Sequence, residues 1–395
     1  MSIRYSKSTL SLKTSEIREI LKLTEQPDLI SFAGGLPAPE LFPLDKIIEI
    51  NKEVLETSGR AALQYSITEG YKPLREIIAK ERMGNANVKT FSDNILITNG
   101  SQQGLEFSAR LFIDKGDIII CESPSYLGAI NAFDAYGPKY IEIPMDEDGM
   151  IIEGLERALE EHPEAKMIYT IPDFQNPSGK TLSVKRRKQM VKLSEKYNIP
   201  IIEDNPYGDL IFEGKRLPAI KSFDTTGHVI FLGTFSKTFC PGIRIGWVCA
   251  DKEILNKYIM IKQITDLQSS TVNQMELAAF MEKYNLDEHI DEIIKVYKNR
   301  RDLMLDSMKK YFPKEVEFTK PKGGLFTWVE LKEDMDSVSI FKEAVAEKVA
   351  FVPGISFFPN KDHHNFFRLN YSNMEETKII EGIKRLGKVL YKHYN

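Results

Sequence analysis

The chain is poor in cysteine: Cys121, Cys240 and Cys249 are the three it has, and none stands in a Cys-x-x-Cys pair. That excludes a disulfide scaffold, argues against structural zinc, and suits a reducing compartment. Long apolar runs are also missing. No stretch approaches the roughly 20 residues needed to cross a bilayer, and the opening Met1-Ser2-Ile3-Arg4-Tyr5 has no apolar signal core. The expectation is a cytoplasmic protein without membrane contact. An excess of one charge is absent as well, since 53 basic and 57 acidic residues leave −4, no field to draw in nucleic acid. The densest basic cluster, Lys185-Arg186-Arg187-Lys188, falls in an expected helix and reads as a solvated face. The six histidines are scattered, apart from a polar pair at His363-His364, so no metal site is expected. No Gly-x-Gly-x-x-Gly follows the first strand, which argues against a nicotinamide oxidoreductase.

What is present is alternation. Between about residues 94 and 250, short β-branched runs are separated by amphipathic helices. The runs are Asn94–Thr98, Asp117–Cys121, Tyr140–Ile143, Lys166–Ile171, Pro200–Glu203 and His228–Leu232, with Gly246–Ala250 as a further strand. Continuous apolar runs between helices predict a buried, mainly parallel seven-stranded sheet in an α/β fold. After residue 270 the texture changes to a long helix over Asp287–Tyr311, strands at Gly324–Val329 and Asn365–Tyr371, and a closing helix over Met374–Tyr391. That pattern predicts a smaller α+β domain. The expected organisation is an N-terminal segment 1–45 packing on the small domain and the active site, a large α/β domain 46–285, and a small α+β domain 286–395.

Ligands of such sheets sit beyond the carboxyl ends of the strands, and five strand ends carry chemistry. Lys237 follows the run ending at Leu232, with Ser236 beside it and Arg244 close behind. A hydroxyl and a fixed cation are both phosphate partners, and burial lowers a lysine's pKa toward the neutral amine that forms a Schiff base. Asp204 closes the run Pro200–Glu203, with Tyr207 three residues on. A carboxylate there can keep a pyridine nitrogen protonated, making the ring an electron sink. The phenol and the amide of Asn176 in Asn176-Pro177-Ser178-Gly179 can reach a ring oxygen. Gly100-Ser101-Gln102 opens a helix whose free N–H groups suit an anion, and Tyr126 offers an aromatic face. Each feature alone has an ordinary explanation as a cap, turn or core residue. Their coincidence on one sheet edge has no joint explanation as packing.

On these residues the sequence resembles the fold-type I pyridoxal-phosphate aminotransferases of class I/II over almost the whole chain. Phe32-Ala33-Gly34-Gly35-Leu36-Pro37-Ala38-Pro39-Glu40 and Leu63–Arg75 are similar to the 2-aminoadipate/kynurenine aminotransferase branch. They also occur in regulators fused to a winged-helix DNA reader, for which no room is expected here. The resemblance implies pyridoxal 5'-phosphate on Lys237, Asp204 against the ring nitrogen, and Asn176 and Tyr207 on the ring oxygen. It implies Tyr126 stacked on the ring, and Ser101, Gln102, Ser236 and Arg244 on the phosphate. Arg368 would bind the substrate carboxylate together with Asn176, and Gly35 would lie beside the substrate. Tyr65 would reach the phosphate of a neighbouring subunit in a homodimer with shared sites. Arg18, on an expected helix over Ser15–Leu23, would pair with a distal substrate carboxylate. The implied activity is ping-pong transfer of an amino group to a 2-oxo acid such as 2-oxoglutarate, from 2-aminoadipate, an aromatic or leucine-like amino acid, or glutamate. A pyridoxal-phosphate lyase or decarboxylase would use the same lysine and aspartate, and a ligand-sensing core without catalysis is the reading from a different class.

Overall fold

The computed structural model describes residues 4, 5 and 28–394. The strands are β1 Ile30–Ser31, β2 Ile95–Thr98, β3 Ile118–Ser123, β4 Lys139–Asp146, β5 Gly149–Met150, β6 Met167–Thr170, β7 Ile201–Asp204, β8 Val229–Thr234 and β9 Gly246–Cys249. They continue with β10 Glu317–Phe318, β11 Phe326–Glu330, β12 Val349–Ala350, β13 Val352–Pro353 and β14 Phe366–Asn370. Among the described residues, eight strands build the main sheet in the order β2-β9-β8-β7-β6-β3-β4-β5. The links β4-β3, β3-β6, β6-β7 and β7-β8 are parallel, whereas β9 runs antiparallel to both neighbours. The seven expected strands are all there, and the eighth is the two-residue edge strand β5.

Alternating side chains explain why these runs are apolar throughout. Ile118 and Ile120 of β3, Ile168 of β6, Ile201 of β7 and Val229 of β8 enter one core cluster. Their neighbours Ile119, Cys121, Met167, Tyr169, Ile202 and Ile230 enter the other. A strand covered on both faces has no solvent side on which to place polar residues. The helices that matter below are α1 Leu44–Ala62, α2 Ser101–Phe112, α3 Leu127–Asp134, α4 Ile152–Glu161, α5 Val184–Tyr197, α6 Lys252–Thr265, α7 Thr271–Lys283 and α8 Leu286–Tyr311, followed by α9 Ser337–Ala346 and α10 Glu376–Tyr394. Helices α4 and α5 supply Leu155, Leu159, Met190 and Val191 to the first cluster, while α2 and α6 supply Leu105 and Leu255 to the second.

The smaller sheet has the order β10-β11-β14-β13, and α8 packs along α10 beside it. Strand β1 pairs with β12, and Asn370 donates its N–H to the Phe32 carbonyl at 2.9 Å, which ties the segment after residue 28 to this sheet. Among the described residues no helix is long and apolar enough to cross a membrane.

One expectation is corrected. Lys185 and Lys188 are exposed, but Arg187 is fully buried under α5. Its guanidinium grips Asp173 through Nη2–Oδ1 at 2.5 Å and Nη1–Oδ2 at 3.3 Å, and donates to the carbonyls of Pro172, Leu182 and Pro218. Five donors with five acceptors make burial of the charge tolerable. A run of four charges hides one inward-facing position, because helix faces change every residue.

Candidate active site

The carboxyl ends of β2, β3, β6, β7 and β8 open on one side of the sheet, and most of the predicted residues lie there. Asp204 is the last residue of β7 and is 1 % exposed. Its Oδ2 accepts the Tyr169 hydroxyl at 3.1 Å, while Oδ1 is buried with no partner among the described residues. Burial lifts its pKa to about 7, against the opposing pull of Tyr169 and Lys237. Lys237 lies three residues past β8, and its Nζ donates to the Gly35 carbonyl at 2.8 Å. Desolvation, then the cations Arg368 and Arg244, bring its pKa down to about 8. A buried carboxyl oxygen without a partner and an amine pushed toward neutrality are costly unless something completes them.

Asn176 joins two halves of the site. Its Oδ1 accepts Arg368 Nη1 at 2.8 Å, and its Nδ2 donates to the Tyr207 hydroxyl at 3.4 Å. Arg368 projects from β14, opposite Trp328 of β11, and is 3 % exposed. Its Nη2 donates to the Ala33 carbonyl at 2.7 Å, and Nε has no partner among the described residues. The guanidinium lies 4.1 Å from the Phe326 ring centre and 5.0 Å from that of Phe357. Burial brings its pKa down to about 10, so an anion arriving there meets a desolvated, preoriented fork. Tyr207 is buried edge-on to Phe326, and burial raises its phenol above the ordinary range. Gly35 lies against Phe326 as well: a Cβ there would stand 3.1 Å from the ring.

The opposite end of the site is an anion cradle. Gly100 precedes α2 at φ 76°, and among the described residues no side chain caps the first turn, which leaves its leading N–H groups open to an anion. A Cβ on Gly100 would meet Arg244 Nη2 at 2.5 Å, so the close approach of the arginine requires glycine there. Arg244 Nη2 also donates to the Asn99 carbonyl at 3.0 Å. Ser236 accepts Thr234 Oγ1 at 2.9 Å, leaving its own proton free to donate outward. Ser101 is half-buried on the first turn, and the exposed Gln102 turns to the Gly128 carbonyl at 2.7 Å. Tyr126 precedes α3 and is half-buried, with its phenol raised by desolvation and by Asp204.

Tyr65 stands apart on the surface, 78 % exposed. Arg18 and the helix expected over Ser15–Leu23 lie outside the described residues. Three contributors went unread in the sequence: Tyr169 beneath Asp204, and Glu122 and Gln175 beneath Asn176. The signal for Glu122 was a carboxylate directly after the apolar run Ile118–Cys121, and Gln175 is next to Asn176.

A family profile described as aminotransferase class I and II matches residues 28–386. The aromatic-amino-acid aminotransferase 1 of Thermococcus litoralis is 45 % identical over 98 % of this chain and 94 % of its own length. The crystal structure of a multiple substrate aminotransferase from Thermococcus profundus matches with a TM-score of 0.94 at 44 % identity, covering 99 % of this chain and 98 % of that one. That of an alpha-aminoadipate aminotransferase from Thermus thermophilus, complexed with N-(5'-phosphopyridoxyl)-L-leucine, matches at 0.91 and 37 % identity, covering 98 % and 97 %.

Proposed function

This chain belongs to the class I and II aminotransferases, in the 2-aminoadipate and kynurenine branch, and on that premise we propose that it binds pyridoxal 5'-phosphate on Lys237 and runs a two-stage amino transfer. The donor is 2-aminoadipate, an aromatic or leucine-like amino acid, or glutamate, and the acceptor is a 2-oxo acid such as 2-oxoglutarate. The observation that carries the reading is the unpaired, buried Oδ1 of Asp204 at the floor of a site whose lysine is held near neutrality. A protonated pyridine nitrogen completes that carboxylate. When bound, the cofactor supplies a carbonyl for the amino group and a ring that draws electrons from the substrate Cα.

The residues fit the group. Asp204 would pair with the ring nitrogen, Asn176 and Tyr207 would bind the ring oxygen, and Tyr126 would cover the ring. The leading N–H groups of α2, with Ser101, Gln102, Ser236 and Arg244, would hold the phosphate. Arg368 grips the substrate carboxylate by its two-pronged fork, which aligns the Cα–H toward Lys237. Lys237, its amine freed once the substrate's amino group takes its place on the cofactor, would then take the proton from the substrate Cα onto Nζ as general base and be the group able to return it. Residues 46–285 are read as the cofactor-holding unit, with 286–395 and the segment before residue 46 completing the substrate side.

The exposed Tyr65 fits a role in the partner's phosphate site. It stands with the exposed apolar side chains Leu63, Ile67 and Leu267, joined where Ser66 N–H meets Gln268 Oε1. An apolar face of that kind suits a homodimer with shared sites. One experiment tests the whole reading. Purified protein incubated with pyridoxal phosphate is expected to turn yellow, and borohydride to fix the label on the peptide containing Lys237. A half-reaction screen, following loss of that absorbance with each amino acid, then identifies the donor. Protein that stays colourless removes the proposal.

A further inference from the structure

Beneath Asn176 lies a layer of buried polar groups separate from those assigned above to cofactor or substrate. Glu122, near the end of β3, is 1 % exposed. Its Oε1 accepts the Thr170 hydroxyl at 2.5 Å, and its Oε2 accepts the Ile171 N–H at 3.2 Å and Gln175 Nε2 at 3.1 Å. Gln175, equally buried, donates a second time from Nε2 to the Pro124 carbonyl at 2.8 Å. Its Oε1 accepts the Ser178 N–H at 2.9 Å and the Ser178 hydroxyl at 2.6 Å. The amide therefore uses both donors and both lone pairs, and nothing in it is left to exchange with water.

We propose that Glu122 and Gln175 form a clasp that fixes Asn176 between Arg368 and Tyr207, and that both are positioning residues for the reaction read above, on which this inference rests. The geometry gives the reason. Asn176 sits in a loop, and among the described residues its side chain makes two hydrogen bonds, to Arg368 and to Tyr207, so its aim depends on what holds residues 175–178. Gln175 anchors that loop at both ends of its own side chain, to Pro124 beyond β3 and to Ser178 beyond the Asn176-Pro177 step. Glu122 in turn fixes the amide's orientation, because a carboxylate at Oε2 accepts only from the nitrogen end. Loops that carry reacting groups reach useful precision only when a supporting layer locks their side chains. Two strand-end loops, one bearing Tyr126 and one bearing Asn176, are thus joined by one amide.

Burial raises the Glu122 pKa to about 7, opposed by its three donors. The clasp needs hydrogen-bond acceptors at that point, not a charge. In Glu122→Gln, the new carbonyl can take the Ile171 and Gln175 donors, while the new amide nitrogen donates to the Thr170 hydroxyl oxygen, which accepts equally well. In Glu122→Ala, three donors lose their acceptor in a dry environment.

The test uses wild type, Gln175→Ala, Glu122→Ala and Glu122→Gln, each loaded with pyridoxal phosphate and assayed with the donor found in the half-reaction screen. Cofactor affinity is read separately by quenching of tryptophan fluorescence as pyridoxal phosphate is added to cofactor-free protein, and folding by thermal melting. Gln175→Ala is expected to raise KM for the amino acid about tenfold or more, more than it lowers kcat, because Asn176 braces the carboxylate-binding Arg368. It should weaken cofactor binding too, while keeping one cooperative melting transition at a temperature lowered by the orphaned Ser178 and Pro124 groups. Glu122→Ala should follow it, and Glu122→Gln should recover KM and cofactor affinity. Gln175→Ala matching wild type in both readouts overturns the clasp, as does Glu122→Gln losing as much as Glu122→Ala. Wild type that fails to bind the cofactor overturns the functional reading and the clasp with it. Wild type that binds and turns over beside an unchanged Gln175→Ala overturns the clasp alone.

Discussion

Asp204 and Lys237 are both pushed by burial toward their neutral forms, and each shift has a measurable sign. The Asp204 carboxyl holds its proton up to about pH 7 in the folded chain, against an ordinary value of 3.8. Between those values the folded state binds the extra proton, so this contribution to stability is full below about pH 4 and lost as pH rises through 7. Cofactor-free Asp204→Asn is therefore expected to match wild type in urea unfolding near pH 4 and to exceed it above pH 7. A gap that does not grow with pH contradicts the assignment. Lys237, with a pKa near 8, is protonated below that point and its neutral amine dominates above it. The rate of cofactor attachment to cofactor-free protein should rise with pH and level off above about 8. A rate already flat from pH 6 upward would mean that another group limits the reaction. Most of these side chains were legible in the sequence because each follows a recognisable strand, so their chemistry could be pooled on one sheet edge. Glu122, Gln175 and Tyr169 were not, since what defines them is a bond across to a different strand, and spacing along the chain carries no record of it.

At the scale of elements, the Arg187 fork on α5 shows how a helix holds a loop it does not belong to. Asp173, gripped by Arg187, also accepts Asn205 Nδ2 at 2.9 Å, and Asn205 Oδ1 accepts the Gly208 N–H at 3.0 Å. The turn that carries Tyr207 is thereby fastened to the loop that carries Asn176. Arg187→Leu leaves the Asp173 charge buried without its partner, a loss of roughly 3–5 kcal/mol in stability. Urea unfolding measures it, and a change below about 1 kcal/mol, the range of an exposed charge, would restore the solvated reading. The inner strands of the main sheet were legible to within two residues because burial on both faces makes their runs uniformly apolar, whereas the outer, partly exposed β4 runs three residues beyond the expected Ile143 and the two-residue strands went unread. Their order was not, and neither was the antiparallel insertion of β9, because periodicity reports how a strand is covered but not which strand lies beside it.

For the whole molecule, the testable consequence is the sharing of sites between two copies. Lys237→Ala lacks the reacting amine but retains Tyr65, whereas Tyr65→Ala retains the lysine and its own Arg244 but withholds the group proposed to complete the partner's phosphate cradle. Mixed after partial unfolding and refolding, the two inactive proteins should yield hybrids with one intact site and regain part of the wild-type rate. A fully active monomer by light scattering rules this out. The order of the main sheet also sets a timetable for synthesis. Strand β2 is an edge strand whose one sheet neighbour is β9, about 150 residues later in the chain, and β1 waits for β12, later still. Gly100 and Arg244, the two sides of the anion cradle, emerge from the ribosome many seconds apart at the usual pace of about 5–20 residues per second. The middle of the sheet can assemble as its strands appear, but the cradle stays open until β9 slides in between β2 and β8. A nascent chain halted before that strand would already contain Asp204, Lys237 and Arg244, but without β9 between β2 and β8 Arg244 would lack the support that sets it against Gly100 to grasp a phosphate.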